Sequence, residues 1–241
     1  MKLPDGLYAP PIAHRGLWRA GEAAENSLVA FETACQTGFG VELDVRLSAD
    51  HEAMVFHDEG LERLTGAEGP MASRSSAELQ ALALPGGEDR IPTLAQALRL
   101  IAGRVFLLVE IKPVGEVHRL CNRAAALLDR YGGPFGVISF DASALAWFAA
   151  ARPDWPRGLD AAGFGETALA QSPDLGRQFA ELTALAQPHF LVLDSETAMG
   201  SLAQTARAHG QPVVAWTIRS TDEATRVGEH CDNFIFEGFT A

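Results

Sequence analysis

The chain has 241 residues, of which 47% are apolar, so it can bury the core of one large domain. Its 31 acidic residues outnumber 19 basic ones, giving a net charge of −12. With no basic block, this argues against nucleic acid and anionic membrane surfaces as partners. No run reaches the roughly 18 consecutive apolar residues of a membrane span, so no integral membrane segment is expected.

Strand and helix signals alternate along the chain. A short apolar run, 11–14, ends at His14-Arg15-Gly16. Asn26 is placed to cap a helix whose apolar positions Leu28, Phe31 and Cys35 share a face, with Gly38 ending it. Strands follow at 41–45 and 54–56. Residues 60–92 form the longest irregular insertion, with a possible capping box at Ser75 and Glu78. A second box, Thr93 and Gln96, opens a helix that Gly103 stops. The nearly continuous apolar run 105–111 predicts a strand buried on both faces.

The helix after Pro113 carries Val117, Leu120, Ala124 and Leu128 and ends at Gly132-Gly133-Pro134. Strands are predicted at 137–138, weakly at 157–160, and at 190–193, 212–218 and 234–236. The helices between them include one capped by Asp141, one through Leu175, Phe179, Leu182 and Leu185, one running to His209-Gly210, and one capped by Ser220. Residues 161–173 read as loose. Leaving aside 54–56, eight strands alternate with helices, the order of a parallel (β/α)8 barrel of the TIM type, an α/β fold spanning 1–241 as one domain.

The chemistry-bearing residues cluster at strand ends. Glu42 and Asp44, two apart on one strand, share a face. Two buried carboxylates repel each other and resist ionisation; a hard cation such as Mg²⁺ or Ca²⁺ relieves both problems. Only 48–52 separates the strands at 41–45 and 54–56, too short for a parallel crossover, so the pair must be a hairpin. A turn centred between Ala49 and Asp50 sets His57 opposite Glu42, and one centred between Asp50 and His51 sets it opposite Asp44. A turn centred on Asp50 itself would point it away. Glu110 is a possible third carboxylate ligand, with Lys112 beside it. Arg15 offers a planar fork of donors that matches phosphate, and His14 can move a proton near neutral pH. On a barrel these strand ends share one face, where the inventory suits a divalent cation and a phosphodiester.

The strings IAHRG, AENSLVAFETA, GVELDVRLSADHEAMVFHD, LERLTG, LLVEIKP and VVAWTIRS resemble the glycerophosphodiester phosphodiesterase family. The resemblance covers essentially the whole chain and is most specific in the first 113 residues. It implies a barrel with one divalent cation, Mg²⁺ or Ca²⁺, on Glu42, Asp44 and Glu110. It implies His14 and His57 as the acid–base pair, Arg15 and Lys112 as phosphate contacts, and Trp216 as an aromatic near the substrate. The implied reaction is hydrolysis of small glycerophosphodiesters to sn-glycerol 3-phosphate and an alcohol.

This chain departs from the family pattern at Ala24, at Asp50-His51 and at Glu237-Gly238-Phe239-Thr240, where Pro, Asp-Gly and Thr-Asp-Arg-Pro are usual. The last departure bears on the substrate pocket at the final strand. The alternatives are a lysophospholipase D-like enzyme acting on acyl-bearing lipids, a barrel that only binds phosphorylated ligands, and a metal-dependent sugar isomerase. Few large apolar residues in 60–92 weigh against the first. Three widely spaced cysteines, Cys35, Cys121 and Cys231, read as buried thiols in a reducing, cytoplasmic setting, and no apolar leader precedes Pro10. Oligomeric state has no signature in the sequence.

Overall fold

The computed structural model describes residues 2–172 and 174–241. The strands are β1 (Ile12–Ala13), β2 (Gly40–Leu47), β3 (Ala53–Val55), β4 (Leu107–Ile111), β5 (Phe135–Ser139), β6 (Arg157–Ala161), β7 (Phe190–Asp194), β8 (Val213–Ile218) and β9 (Asn233–Phe236). They are ordered β1-β9-β8-β7-β6-β5-β4-β2-β3, with β1 also pairing β2. Leaving out the antiparallel β3, this is the closed parallel (β/α)8 barrel expected from the alternating elements. The chain divides into two compact units, Ala13–Pro134 and Met1–Ile12 with Phe135–Ala241.

In the Ala13–Pro134 unit, β2 and β4 run parallel, with Asp44 directly beside Glu110 and Glu42 beside Leu108. All five residues of β4 are buried, as the apolar run requires. Helix Leu28–Thr37 ends on Gly38, whose φ of 82° suits the left-handed cap. Its N-cap is Ser27, whose hydroxyl accepts from Ala30 N, and not Asn26, whose side chain is used elsewhere. Both expected capping boxes form, at Ser75 with Glu78 and at Thr93 with Gln96.

The segment 60–92 is less irregular than its composition suggests. It holds two single-turn helices, Glu62–Thr65 and Ser76–Leu79, and a 3-10 turn, Met71–Ser73. Its large apolar residues are used internally. Leu61, Met71, Leu79, Leu84 and Ile91 pack with Met54 and Phe56 into a separate buried cluster.

The other unit contains β5 to β9. Asp141 caps helix Ala142–Ala151 through Ser143 N and Ala144 N, and Ser220 caps Thr221–Gly228. The stretch read as loose holds a helix, Glu166–Gln171, in which no large apolar stripe betrays the periodicity; its last residue, Pro173, lies outside the described residues. The single helix expected before His209 is two, Ser195–Ala198 and Ser201–Ala208, interrupted at the extended Gly200. Cys121 and Cys231 are buried thiols, whereas Cys35 is only half-buried, because its position on helix Leu28–Thr37 lies at the margin of the buried face. No helix among the described residues is long and apolar enough to cross a membrane.

Candidate active site

Glu42, Asp44 and Glu110 meet in the Ala13–Pro134 unit. The i, i+2 spacing puts Glu42 and Asp44 on one face of β2, and the parallel register sets Glu110 of β4 beside Asp44. All three are buried, and each can offer one oxygen to a set in which the atoms lie within 4.8 Å of one another. Two of the oxygens, Glu42 Oε1 and Asp44 Oδ1, are buried and make no hydrogen bond among the described residues. Such acceptors are costly to bury unless something positive completes them. An all-oxygen set of three carboxylates fits a hard divalent ion such as Mg²⁺ or Ca²⁺ and lacks the thiolate or imidazole ligands typical of structural zinc.

The carboxyls do not share one charge state. Burial, then Asp44 and Glu110, push Glu42 well above the carboxylate range. Burial and Asp44 push Glu110 up to about 8. Burial also works to raise Asp44, but Lys112 and Arg15 outweigh it and hold this carboxyl well below the ordinary range. Lys112 Nζ lies 2.6 Å from Glu110 Oε1 and 3.4 Å from Asp44 Oδ1. Arg15 donates its backbone N–H to Glu42 Oε2 at 2.9 Å and sets its Nε 3.3 Å from Asp44 Oδ2.

Arg15 reaches this position in a left-handed conformation, φ 56°, followed by Gly16 at 81°. The glycine is obligatory on contact grounds as well. A Cβ there would meet Ala30 and the Phe31 ring at 2.9 Å. The turn after β1 is thereby pressed against helix Leu28–Thr37. His14, half-buried, sits at its start, directly after β1.

His57 arrives by a route other than the two considered from sequence. Val45 pairs with Val55, Arg46 with Met54 and Leu47 with Ala53, so the hairpin is centred on Asp50. That register would turn His57 away if the ladder continued. Regular pairing stops short of it: β3 ends at Val55, and one further bond, Phe56 N–H to Asp44 O at 3.0 Å, follows. Phe56 is drawn into the apolar cluster of the insertion, and His57 interacts electrostatically with Asp44, Arg15 and Lys112. Burial lowers the His57 pKa against the pull of Asp44.

Trp216 belongs to the other unit. It is half-buried on β8 and meets the half-exposed Phe140 edge-on, with ring centroids 5.5 Å apart.

Four polar residues, Asn26, Glu25, Asp58 and Arg63, carry no part in the site on the sequence reading. Asn26 Nδ2 donates to Asp44 Oδ2 at 2.7 Å. Glu25 accepts from Arg15 at 2.7 Å and from both terminal nitrogens of Arg63. Asp58 lies between His57 and Arg63. Their only signal is that all four lie within the strings already quoted.

A sequence model of the glycerophosphoryl diester phosphodiesterase family matches residues 14–230. A Caldanaerobacter subterraneus glycerophosphodiester phosphodiesterase is 38% identical over 109 residues, 42% of this chain and 44% of that protein. A human lysophospholipase D is 31% identical over 132 residues, 46% of this chain and 41% of that one. The chain thus spans less than half the length of these curated relatives. Among solved structures, an Oleispira antarctica phosphodiesterase in complex with the product sn-glycerol-3-phosphate superposes with a TM-score of 0.80 at 26% identity, covering 94% of this chain and 91% of that one. A Silicibacter pomeroyi protein at 23% identity, covering 96% and 92%, shares the fold with a TM-score of 0.81. The family match covers most of the chain and takes in every acidic, basic and imidazole group described above, so this chain belongs to the glycerophosphoryl diester phosphodiesterase family.

Proposed function

We propose that the protein hydrolyses small glycerophosphodiesters to sn-glycerol 3-phosphate and an alcohol, using one divalent cation, Mg²⁺ or Ca²⁺. The observation that carries this reading is the set of three buried carboxyl groups, two of them with an oxygen that makes no hydrogen bond, flanked by Arg15 and Lys112. Glu42, Asp44 and Glu110 would hold the ion. When bound, it supplies positive charge to the phosphoryl group and makes the attacking hydroxyl easier to deprotonate.

The rest falls to side chains. Arg15 and Lys112 meet the charge that develops on the phosphoryl oxygens as the diester bond breaks. His14 and His57 divide the proton traffic, one taking a proton from the attacking oxygen and the other giving one to the departing alcohol. A lowered pKa leaves His57 available as a neutral base near pH 7. The family resemblance assigns Trp216 to the substrate, and its ring is braced edge-on by Phe140. Three cysteines, none in a disulfide, support a reducing compartment such as the cytoplasm.

The test is release of sn-glycerol 3-phosphate from glycerophosphocholine and glycerophosphoethanolamine, with Mg²⁺, Ca²⁺ or EDTA, for wild type and His57→Ala. Release that needs the metal and vanishes in the variant is expected. The human relative named for lysophospholipase D activity motivates a parallel arm with micellar lysophosphatidylcholine. The apolar residues of 60–92 are spent on their own cluster, which favours the soluble diester. Turnover of the lysolipid alone would reverse that preference.

A further inference from the structure

We propose that Arg63 is a positioning residue whose guanidinium locks His57 and Arg15 into one chain of charges, so that the insertion after the hairpin sets the geometry of the reaction centre. The proposal rests on the roles assigned to His57 and Arg15 under the proposed function.

Every link is a short contact. His57 Nδ1 lies 2.6 Å from Asp58 Oδ1. Asp58 Oδ2 accepts from Arg63 Nε at 2.5 Å. The two terminal nitrogens of Arg63 donate to Glu25, at 2.9 Å to Oε2 and 2.6 Å to Oε1. Glu25 Oε1 in turn accepts from Arg15 Nη1 at 2.7 Å, and Arg15 Nε faces Asp44. All three nitrogens of one guanidinium are therefore engaged by two carboxylates. Lysine, a point charge, cannot reproduce that fork.

The chain fixes a chemical state as well as a position. Partial burial works to raise Asp58, but Arg63 and His57 outweigh it and keep the carboxyl ionised. An ionised carboxylate can only accept, so the proton between the two residues sits on His57 Nδ1. Nε2 is left with no hydrogen-bond partner among the described residues, as an acid–base nitrogen requires. Arg63 fixes Asp58 beside the imidazole by holding its second oxygen.

Arg63 itself is anchored through its backbone. It sits on the single turn Glu62–Thr65, flanked by Leu61, which is fully buried in the insertion's cluster, and Leu64, packed against it. Gly66 closes the turn in the left-handed conformation, φ 70°, and Glu62 accepts from Gly69 N at 2.7 Å. The apolar cluster therefore reaches the reaction centre through one side chain.

The experiment is ¹⁵N-histidine NMR of the full chain, with His57 assigned by His57→Gln, alongside diester turnover. Wild-type neutral His57 is expected in the Nδ1–H form. In Arg63→Ala the population shifts toward the Nε2–H form that free imidazole prefers, and kcat falls roughly 10- to 100-fold with KM changing less. Added guanidinium restores part of the loss, and Arg63→Lys recovers little. Leu64→Ala loosens the same turn while keeping the guanidinium, so it lowers Tm and moves the tautomer less than Arg63→Ala does. If Arg63→Ala does not fold, Arg63→Lys carries the same comparison. An unchanged His57 tautomer overturns the proposal, whatever happens to the rate. A wild type that hydrolyses no diester overturns the proposed function alone, since the tautomer is read without turnover.

Discussion

Asn26 holds Asp44 at two points: its Nδ2 donates to Asp44 Oδ2 at 2.7 Å, and its Oδ1 accepts the backbone N–H of Asp44 at 3.3 Å. The residue does this from a left-handed backbone, φ 57°, which asparagine tolerates better than most residues. Two substitutions separate the side chain from the backbone. Asn26→Gly keeps the conformation and removes both contacts; Asn26→Ala also adds roughly 1–2 kcal/mol of left-handed strain. Both are expected to weaken divalent-ion binding about 10- to 100-fold, the usual cost of removing a group that orients a ligand. Only the alanine should lower the urea midpoint appreciably. Titration calorimetry with Ca²⁺ and urea melts of the metal-free protein measure the two effects. Unchanged affinity in Asn26→Gly would show that Asp44 needs no such support.

Ion binding should release protons. With no cation bound, Glu110 is pushed up to about 8 by burial and Asp44, and Glu42 is raised for the same kind of reason. A cation must displace those protons, so its affinity rises with pH toward 8. The folded, metal-free protein also binds more protons than the unfolded chain between the ordinary glutamate range and 8. Its stability therefore falls as pH rises through that window, and added metal should raise Tm more at pH 8 than at pH 6. Calorimetry at pH 7 in two buffers of different ionisation enthalpy counts the protons. Equal heats in both buffers would mean the carboxyls are already ionised.

Gly16 has no substitute. Any Cβ there would press on the backbone and Cβ of Ala30 and on Phe31 at 2.9 Å, from a φ of 81°. Gly16→Ala is expected to destabilise by about 2–5 kcal/mol, combining overpacking with left-handed strain. The shift in urea midpoint measures it. A cost below about 1 kcal/mol would show that the helix Leu28–Thr37 yields easily, against the packing described.

The strand ends were legible because periodicity and spacing are local properties. Glu42 and Asp44 had to share a face, and the continuous apolar run before Glu110 had to be a barrel strand. What escaped depended on where the ladder stops. No local pattern says that β3 ends at Val55, yet that ending brings His57 to Asp44 from a register that alternation alone would reject. Asn26 departs from its expected capping role for a similar reason. Its side chain suits an N-cap, and only the tertiary pairing with Asp44 leaves that job to Ser27. The insertion hid its order because its apolar residues follow neither helical nor strand periods but converge on Met54 and Phe56.

Trp216 provides a test of the substrate contact that does not involve the acidic cluster. Trp216→Ala is expected to raise KM for glycerophosphodiesters about 10-fold, the equivalent of one lost aromatic contact, with kcat changed less. Phe140→Ala should show a smaller effect in the same direction, since Phe140 supports the ring edge-on. Steady-state kinetics on glycerophosphocholine measure both. Unchanged KM in both variants would leave Trp216 as packing within its own unit.

Comparing leaving groups separates the two histidines. His14→Gln and His57→Gln are each expected to lose about 10²- to 10⁴-fold in kcat on glycerophosphocholine, whose alcohol must be protonated as it departs. A diester with a nitrophenol leaving group needs no such proton. On that substrate the variant lacking the general acid recovers most of its rate, while the variant lacking the base does not. His57, with its pKa lowered by burial and its Nδ1 turned to Asp58, is poised to take a proton, so His14→Gln is expected to be the variant that recovers. Recovery in His57→Gln instead would reverse the assignment and make Asp58 the partner of an acid. Equal, unrecovered losses in both would mean that proton donation is not what limits turnover of the choline ester.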